Sequence, residues 1–123
     1  MWTTVRITSR KAMLAPISSR SLSAQDNSPA KIAALVYSFV DGMLEKRTPH
    51  RSEHLDLLNK MTNDGTCLMG GAFADPCDGS VVFFSSRDKA QEFLESDPYF
   101  RYDLVTSYQI RDYMAVTGSL LKK

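Results

Sequence analysis

A chain of 123 residues is long enough for one domain, and its composition, 43% hydrophobic and 24% charged, is that of an ordinary soluble globular protein. The net charge of +1 conceals an uneven distribution, because residues 1–24 carry all of their charge as four basic side chains. The rest of the chain holds 11 basic and 14 acidic residues. This mild acidity argues against a nucleic-acid-binding surface, and no apolar run is long enough to span a membrane.

Residues 1–24 have the composition of an organelle transit peptide. They are rich in arginine, serine and threonine, and the first acidic residue of the chain is Asp26. We expect import into the mitochondrion, with a plastid, or a disordered basic tail on a cytosolic protein, as the alternatives. Residues 25–30 are expected to be a linker, residues 31–117 the folded domain and residues 118–123 a C-terminal tail.

The first predicted strand and the first predicted helix follow this linker. Lys31 to Val40 form a near-continuous apolar run, which is typical of a central strand. Pro49 marks the start of an amphipathic helix that ends near Gly65, a natural C-terminal cap. At about 100° per residue, the side expected to face the core contains Arg51, His54, Leu55, Leu58, Met61 and Thr62.

A predicted β-hairpin comes next. Its first strand, Thr66 to Ala74, contains two adjacent glycines, Gly70 and Gly71, which indicate a bulge or a place where a ligand approaches the backbone closely. The turn from Asp75 to Gly79 leads into a third strand from Ser80 to Ser85.

The last two predicted elements are a helix and a long strand. Ser85 and Asp88 have the spacing of a capping box ahead of this second helix. Its apolar stripe is Ala90, Phe93 and Leu94, and the next position on that stripe is Asp97. Pro98 ends the helix, an irregular turn covers Tyr99 to Leu104, and Val105 to Val116 form the final strand.

The element order is β-α-β-β-α-β. Right-handed crossovers fold this order into a ferredoxin-like α+β domain, a four-stranded antiparallel sheet with two helices on one face. The opposite sheet face has no helix to cover it, although apolar residues alternate through the strands. We therefore expect a homodimer that buries this face.

Histidine and cysteine spacing gives no support for a metal site. Cys67 and Cys77 lack a second ligand pair, and Cys67 is expected to be a small core residue. A disulfide between them is possible but unusual in a reducing compartment. His50 and His54 are four residues apart, yet they lack the H-E-x-x-H pattern and an evident third ligand.

His54 and Asp97 form the candidate catalytic pair. Both lie on helix stripes that should face the core, and a buried aspartate requires a partner, for which His54, Arg51 and Arg47 are the available cations. A carboxylate bonded to an imidazole fixes its tautomer and raises its basicity, as a general base requires. The alternative is a tie between two helices with no chemical role.

Two further pairs are candidate substrate-binding groups. Arg47 and Arg51 are four residues apart and are suited to clamping an anionic substrate, or else they form a solvated basic turn. Gly70 and Gly71 would admit a ligand against the strand, although a plain bulge explains them equally well.

Three motifs in order resemble the YCII-related (YciI-like) family. They are L-E-K-R-x-x-x-R-x-x-H-L from Leu44 to Leu55, N-D-G-T-x-L-x-G-G from Asn63 to Gly71, and S-D-P-Y from Ser96 to Tyr99. The resemblance covers about residues 31–116. It implies ferredoxin-like domains that pair into a dimeric α+β barrel.

The resemblance also implies a site. The family's proposed active-site histidine and aspartate fall on His54 and Asp97, and its arginine falls on Arg51. Ser52 stands where the family commonly has proline, which should affect only the start of the helix. A related member is a dehydrochlorinase of a hydroxylated aromatic ring, and the wider superfamily includes muconolactone isomerase. The expected function is cofactor-independent lyase, dehalogenase or isomerase chemistry on a small molecule. The alternative is a non-catalytic ligand-binding or accessory subunit of a mitochondrial assembly.

Overall fold

The computed structural model describes residues 30–121. The predicted transit peptide, residues 25–29 of the predicted linker and residues 122–123 lie outside this range. The elements are β1 (Ala30–Phe39), α1 (Met43–Lys46), a 3-10 turn (Thr48–His50), α2 (Arg51–Asn63), β2 (Cys67–Ala72), β3 (Gly79–Phe84), α3 (Arg87–Ser96), α4 (Pro98–Arg101) and β4 (Val105–Ala115).

The four strands form one antiparallel sheet in the order β2-β3-β1-β4. The two strands at the centre, β1 and β3, are those whose sequences are most continuously apolar. The longer helices α2 and α3 pack on one face of this sheet. The predicted α+β arrangement with helices on one face is therefore confirmed.

The core lies between this sheet face and the helices. Alternate residues of β1 point toward the helices, so Leu35 and Tyr37 are almost fully buried, as is Phe84 on β3. Phe93 and Leu94 from α3 pack against them, as the predicted apolar stripe of the second helix required. Cys67 also belongs to this core, as expected.

The predicted stripe of the first helix is partly wrong. Leu55 is 37% exposed, whereas Leu57, which the sequence reading did not place on the stripe, packs against the core with Leu58 and Met61. The buried arc of α2 is thus turned toward Leu57. Leu55 and Leu57 flank the stripe on opposite sides, and the packing of α2 on the sheet decides which of them is covered.

Helix boundaries differ from the prediction at three places. The chain makes a short α1 at Met43 and a 3-10 turn containing Pro49 before α2 begins at Arg51. Ser86, not Ser85, caps α3, because its Oγ accepts a hydrogen bond from the backbone N–H of Lys89. The segment predicted as an irregular turn contains α4, a single helical turn that begins at Pro98. The predicted cap at Gly65 is present, with φ at 82°.

The second face of the sheet is the one without helices. Phe83 and Tyr113 lie on this open face with their rings in edge-to-face contact, and Met69 and Tyr113 are about half exposed. The homodimer expected to cover this face stays a prediction. No helix within residues 30–121 is long and apolar enough to cross a membrane.

Candidate active site

Asp97 is placed at the junction of α3 and α4 by the proline that follows it. A residue before proline is disfavoured in the helical region, and Asp97 adopts an extended conformation with ψ at 121°. Its Oδ1 accepts a hydrogen bond from the backbone N–H of Tyr99 at 3.1 Å, which caps α4. The carboxylate therefore lies at the C-terminus of α3 and at the N-terminus of α4, and the dipole of α4 favours its negative charge.

His54 and Asp97 are in direct contact. The Nδ1 atom of His54, in the second turn of α2, lies 2.6 Å from Oδ1 of Asp97. The histidine side chain is 12% exposed and the aspartate side chain is fully buried. Because a carboxylate only accepts hydrogen bonds, Nδ1 carries the proton and Nε2 of a neutral imidazole carries the lone pair. Within residues 30–121, Nε2 has no hydrogen-bond partner.

Tyr37 completes the surroundings of Asp97, and the sequence reading missed it. Its hydroxyl, on the central strand β1, donates to Oδ2 of Asp97 at 2.7 Å. Burial and the neighbouring Asp97 charge raise the pKa of Tyr37 well above its ordinary value, so the phenol remains a donor. The available signal was the alternation of β1, which places this hydroxyl inside the core, where it requires a partner.

Tyr99 fixes the plane of the imidazole. Its ring stacks on the His54 ring with centroids 3.7 Å apart and an angle of 4° between the planes. Phe93 contacts the same imidazole edge-to-face, with centroids 5.8 Å apart. An aromatic face favours a cation above it, so this stack supports His54 when it is protonated.

Arg47 and Arg51 lie beside Tyr99, whereas the sequence reading offered them as partners for Asp97. Burial raises the pKa of the Tyr99 hydroxyl, and the charges of both arginines act against this rise. Neither arginine forms an ion pair with an acidic side chain of the described chain. Arg47 makes one long contact, from Nη1 to Sγ of Cys77 at 3.9 Å. Both guanidinium groups therefore keep donors that protein carboxylates do not occupy.

Gly70 and Gly71 lie on opposite faces of the sheet. They pair in regular register with Val82 and Val81, and the irregularity in β2 comes earlier, between Cys67 and Met69. A Cβ added to Gly70 would meet Val82 at 3.1 Å, whereas one added to Gly71 would meet nothing. Since neighbouring strand residues face opposite ways, the two glycines do not line the same pocket.

The remaining candidates are separate from the pair. Cys67 and Cys77 are both free thiols, and His50 stacks on Tyr102 with centroids 4.2 Å apart. No group of three histidine, cysteine or acidic side chains in residues 30–121 is arranged to hold a metal ion. A shallow groove between α2 and the α3–α4 junction contains none of the predicted site residues; its lining is Glu53, Asp56, Leu57, Lys60, Glu95, Ser96 and Arg101.

A structure similar in fold comes from a bacterial enzyme. It is 5-chloro-2-hydroxyhydroquinone dehydrochlorinase (TftG) from Burkholderia phenoliruptrix AC1100, in complex with 2,5-dihydroxybenzoquinone. The TM-score is 0.56 and the sequence identity 20%, over 67% of this chain and 92% of the enzyme chain. No protein with a curated description matches the sequence. The family model of the YCII-related domain matches residues 30–114. This match includes β1, β2, β3 and all but the last residue of β4, together with His54 and Asp97, and the chain therefore belongs to the YCII-related family.

Proposed function

We propose that this protein is a small enzyme that needs no cofactor and uses His54 and Asp97 for proton transfer on a small molecule. The observation that carries the proposal is the hydrogen bond of 2.6 Å between Nδ1 of His54 and the fully buried carboxylate of Asp97. This bond leaves Nε2 as the basic nitrogen. A partly exposed base held by a buried carboxylate is suited to general acid–base catalysis.

Asp97 acts by orienting the imidazole and by stabilising its charge. Tyr37 and the backbone N–H of Tyr99 hold the carboxylate in place, so the imidazole does not have to organise its own partner during the reaction. When Nε2 takes a proton, the imidazolium has the carboxylate at Nδ1 and the Tyr99 ring against its face, and both favour the positive charge.

The same pair performs an elimination or an isomerisation. Nε2 removes a proton from carbon, and the electron pair of that C–H bond forms a double bond. In a dehydrohalogenation the halide leaves with the electrons of its own bond, and the imidazolium later gives its proton to water. In an isomerisation the imidazolium returns the proton to another carbon of the same molecule. Neither route changes the oxidation state of a protein group.

The similar structure supports this class of reaction. That enzyme is a dehydrochlorinase, and its chain carries a hydroxylated quinone. At 20% identity the likeness concerns the fold, so a hydroxylated ring as the substrate of the present protein is part of the proposal. Arg51 and Arg47 would hold an anionic oxygen of such a ring.

A non-catalytic role is the second candidate, because the contacts of Asp97 would also be needed for the stability of the fold alone. Its carboxylate ties α2, β1 and α4 together through His54, Tyr37 and the N–H of Tyr99. An accessory subunit or a ligand-binding module would retain this tie for stability alone.

A turnover screen separates the two candidates. The purified protein is incubated with halogenated and hydroxylated rings and with small lactones, and products are followed by NMR. We expect turnover of a member of this panel, and loss of that turnover in His54→Ala and in Asp97→Asn with the oligomer intact. His50→Ala is the matched control, because His50 also stacks on a tyrosine but binds no carboxylate. Full activity in either site variant would exclude the assignment.

Assembly and location are part of the same proposal. The protein would be a homodimer joined through its open sheet face, and residues 1–24 would direct it to the mitochondrial matrix. A fluorescent fusion of the whole chain tests the location, with a version lacking residues 1–24 as the control. Mitochondrial fluorescence that persists in the truncated version would refute the role of this segment.

A further inference from the structure

The hydroxyl of Tyr99 is the one buried side-chain oxygen or nitrogen within residues 30–121 that has no hydrogen-bond partner. Tyr99 as a whole residue is 2% exposed. An unpaired buried hydroxyl is destabilising, and every other buried side-chain nitrogen or oxygen of the described chain is hydrogen-bonded. A group of this kind calls for a specific explanation.

The surroundings of this hydroxyl are positively charged. The charges of Arg47 and Arg51 both act to lower the pKa of the phenol, and Arg51 also lowers it through a close side-chain contact. This contact does not meet the geometry of a hydrogen bond, so the hydroxyl is left without a partner. Arg51 is exposed and lies three residues before His54, so both side chains are on the same side of α2. Its flexible side chain can move aside to admit a ligand to the hydroxyl.

The hydroxyl is also close to the proton-transfer atom. The Tyr99 ring is parallel to the His54 ring at 3.7 Å between centroids, so its hydroxyl and Nε2 of His54 lie within the length of one small molecule. A phenol donor and two guanidinium groups beside a base are complementary to an organic anion whose charged oxygen is conjugated to the reacting carbon.

We propose that the Tyr99 hydroxyl is a substrate-binding group that, together with Arg47 and Arg51, holds the charged oxygen of a planar organic carboxylate or enolate. The proposal rests on the proposed function in that it places this oxygen beside His54. The proposal adds Tyr99 to the site and names the class of ligand that the site binds. Because it concerns binding, it can be tested without measuring turnover.

Calorimetric titration with simple probes tests the proposal. Benzoate represents a carboxylate, dimedone, a cyclic diketone that is anionic at neutral pH, represents an enolate, and benzamide is the neutral control for benzoate. We expect at least one of the two anions to bind the wild-type protein at millimolar concentration or below. The anion that binds more tightly shows whether the site prefers a carboxylate oxygen or an enolate oxygen. Tyr99→Phe keeps the stacked ring and should weaken that anion about tenfold or more, with no effect on benzamide.

Thermal unfolding of Tyr99→Phe gives an independent readout. Because the hydroxyl has no partner in the protein, its removal should leave the melting temperature unchanged or raise it. Tyr108→Phe, which removes an exposed hydroxyl, is the matched control. A fall in melting temperature for Tyr99→Phe would show a structural role and would overturn the proposal. Absence of anion binding by the wild-type protein, or equal binding by Tyr99→Phe, would also overturn it. Loss of turnover in His54→Ala bears on the proposed function alone.

Discussion

Removing the Tyr37 hydroxyl tests how strongly the fold holds Asp97. Tyr37→Phe keeps the ring and its contact with Phe39 and deletes only the donor to Oδ2 of Asp97. A hydrogen bond to a charged group contributes about 1.5–3 kcal/mol, and the carboxylate is fully buried, so water does not replace the donor. We therefore expect the free energy of unfolding to fall by about 1.5–3 kcal/mol.

Urea denaturation followed by circular dichroism measures this change. The matched control is Tyr108→Phe, because Tyr108 lies directly opposite Tyr37 in the β1–β4 pairing but is 44% exposed. Its substitution should change stability by less than about 0.5 kcal/mol, as is usual for surface positions. Equal effects of the two substitutions would refute the view that Tyr37 supports a buried charge.

Three further predictions concern stability and assembly. Asp97→Ala leaves Tyr37 and the N–H of Tyr99 without an acceptor and should cost about 3–5 kcal/mol by urea denaturation; a loss below 1 kcal/mol, on the order of one neutral hydrogen bond, would contradict the geometry. Stability should fall as the pH rises above about 10, because burial raises the pKa of Tyr37 and Tyr99 in the folded state and only the unfolded chain releases their protons. The fall should be shallower in Tyr37→Phe, and an identical slope would disprove this origin. Phe83→Glu on the open sheet face should convert a dimer into a monomer by light scattering, and a wild-type monomer would refute the proposed interface.

The elements were predictable because their sequence patterns are strong. The apolar run of β1 and the hairpin β2–β3 agree with the sequence reading, as does the stripe of α3. Which side of α2 faces the core was not predictable, because Leu55 and Leu57 border the apolar stripe on opposite sides. Only contact with the sheet decides which of the two is buried. Local helical periodicity carries no information about that contact.

The pairing of His54 with Asp97 was predictable in outline, and its environment was not. Two polar residues on core-facing stripes indicate a contact. Tyr37 lies 60 residues before Asp97, and nothing in a strand pattern names the partner of its hydroxyl. The extended conformation of Asp97 follows from Pro98, a local rule that the sequence reading applied to the end of the helix but not to the aspartate itself.

The tautomer of His54 tests the central claim most directly, namely that Asp97 presents this histidine as a base. Nitrogen-15 NMR of the imidazole at neutral pH distinguishes a protonated from an unprotonated ring nitrogen without any substrate. Neutral His54 should carry its proton on Nδ1, toward Asp97, and Nε2 should be unprotonated. A neutral ring protonated on Nε2 would contradict this claim, because no lone pair would then be available to accept a proton from a ligand.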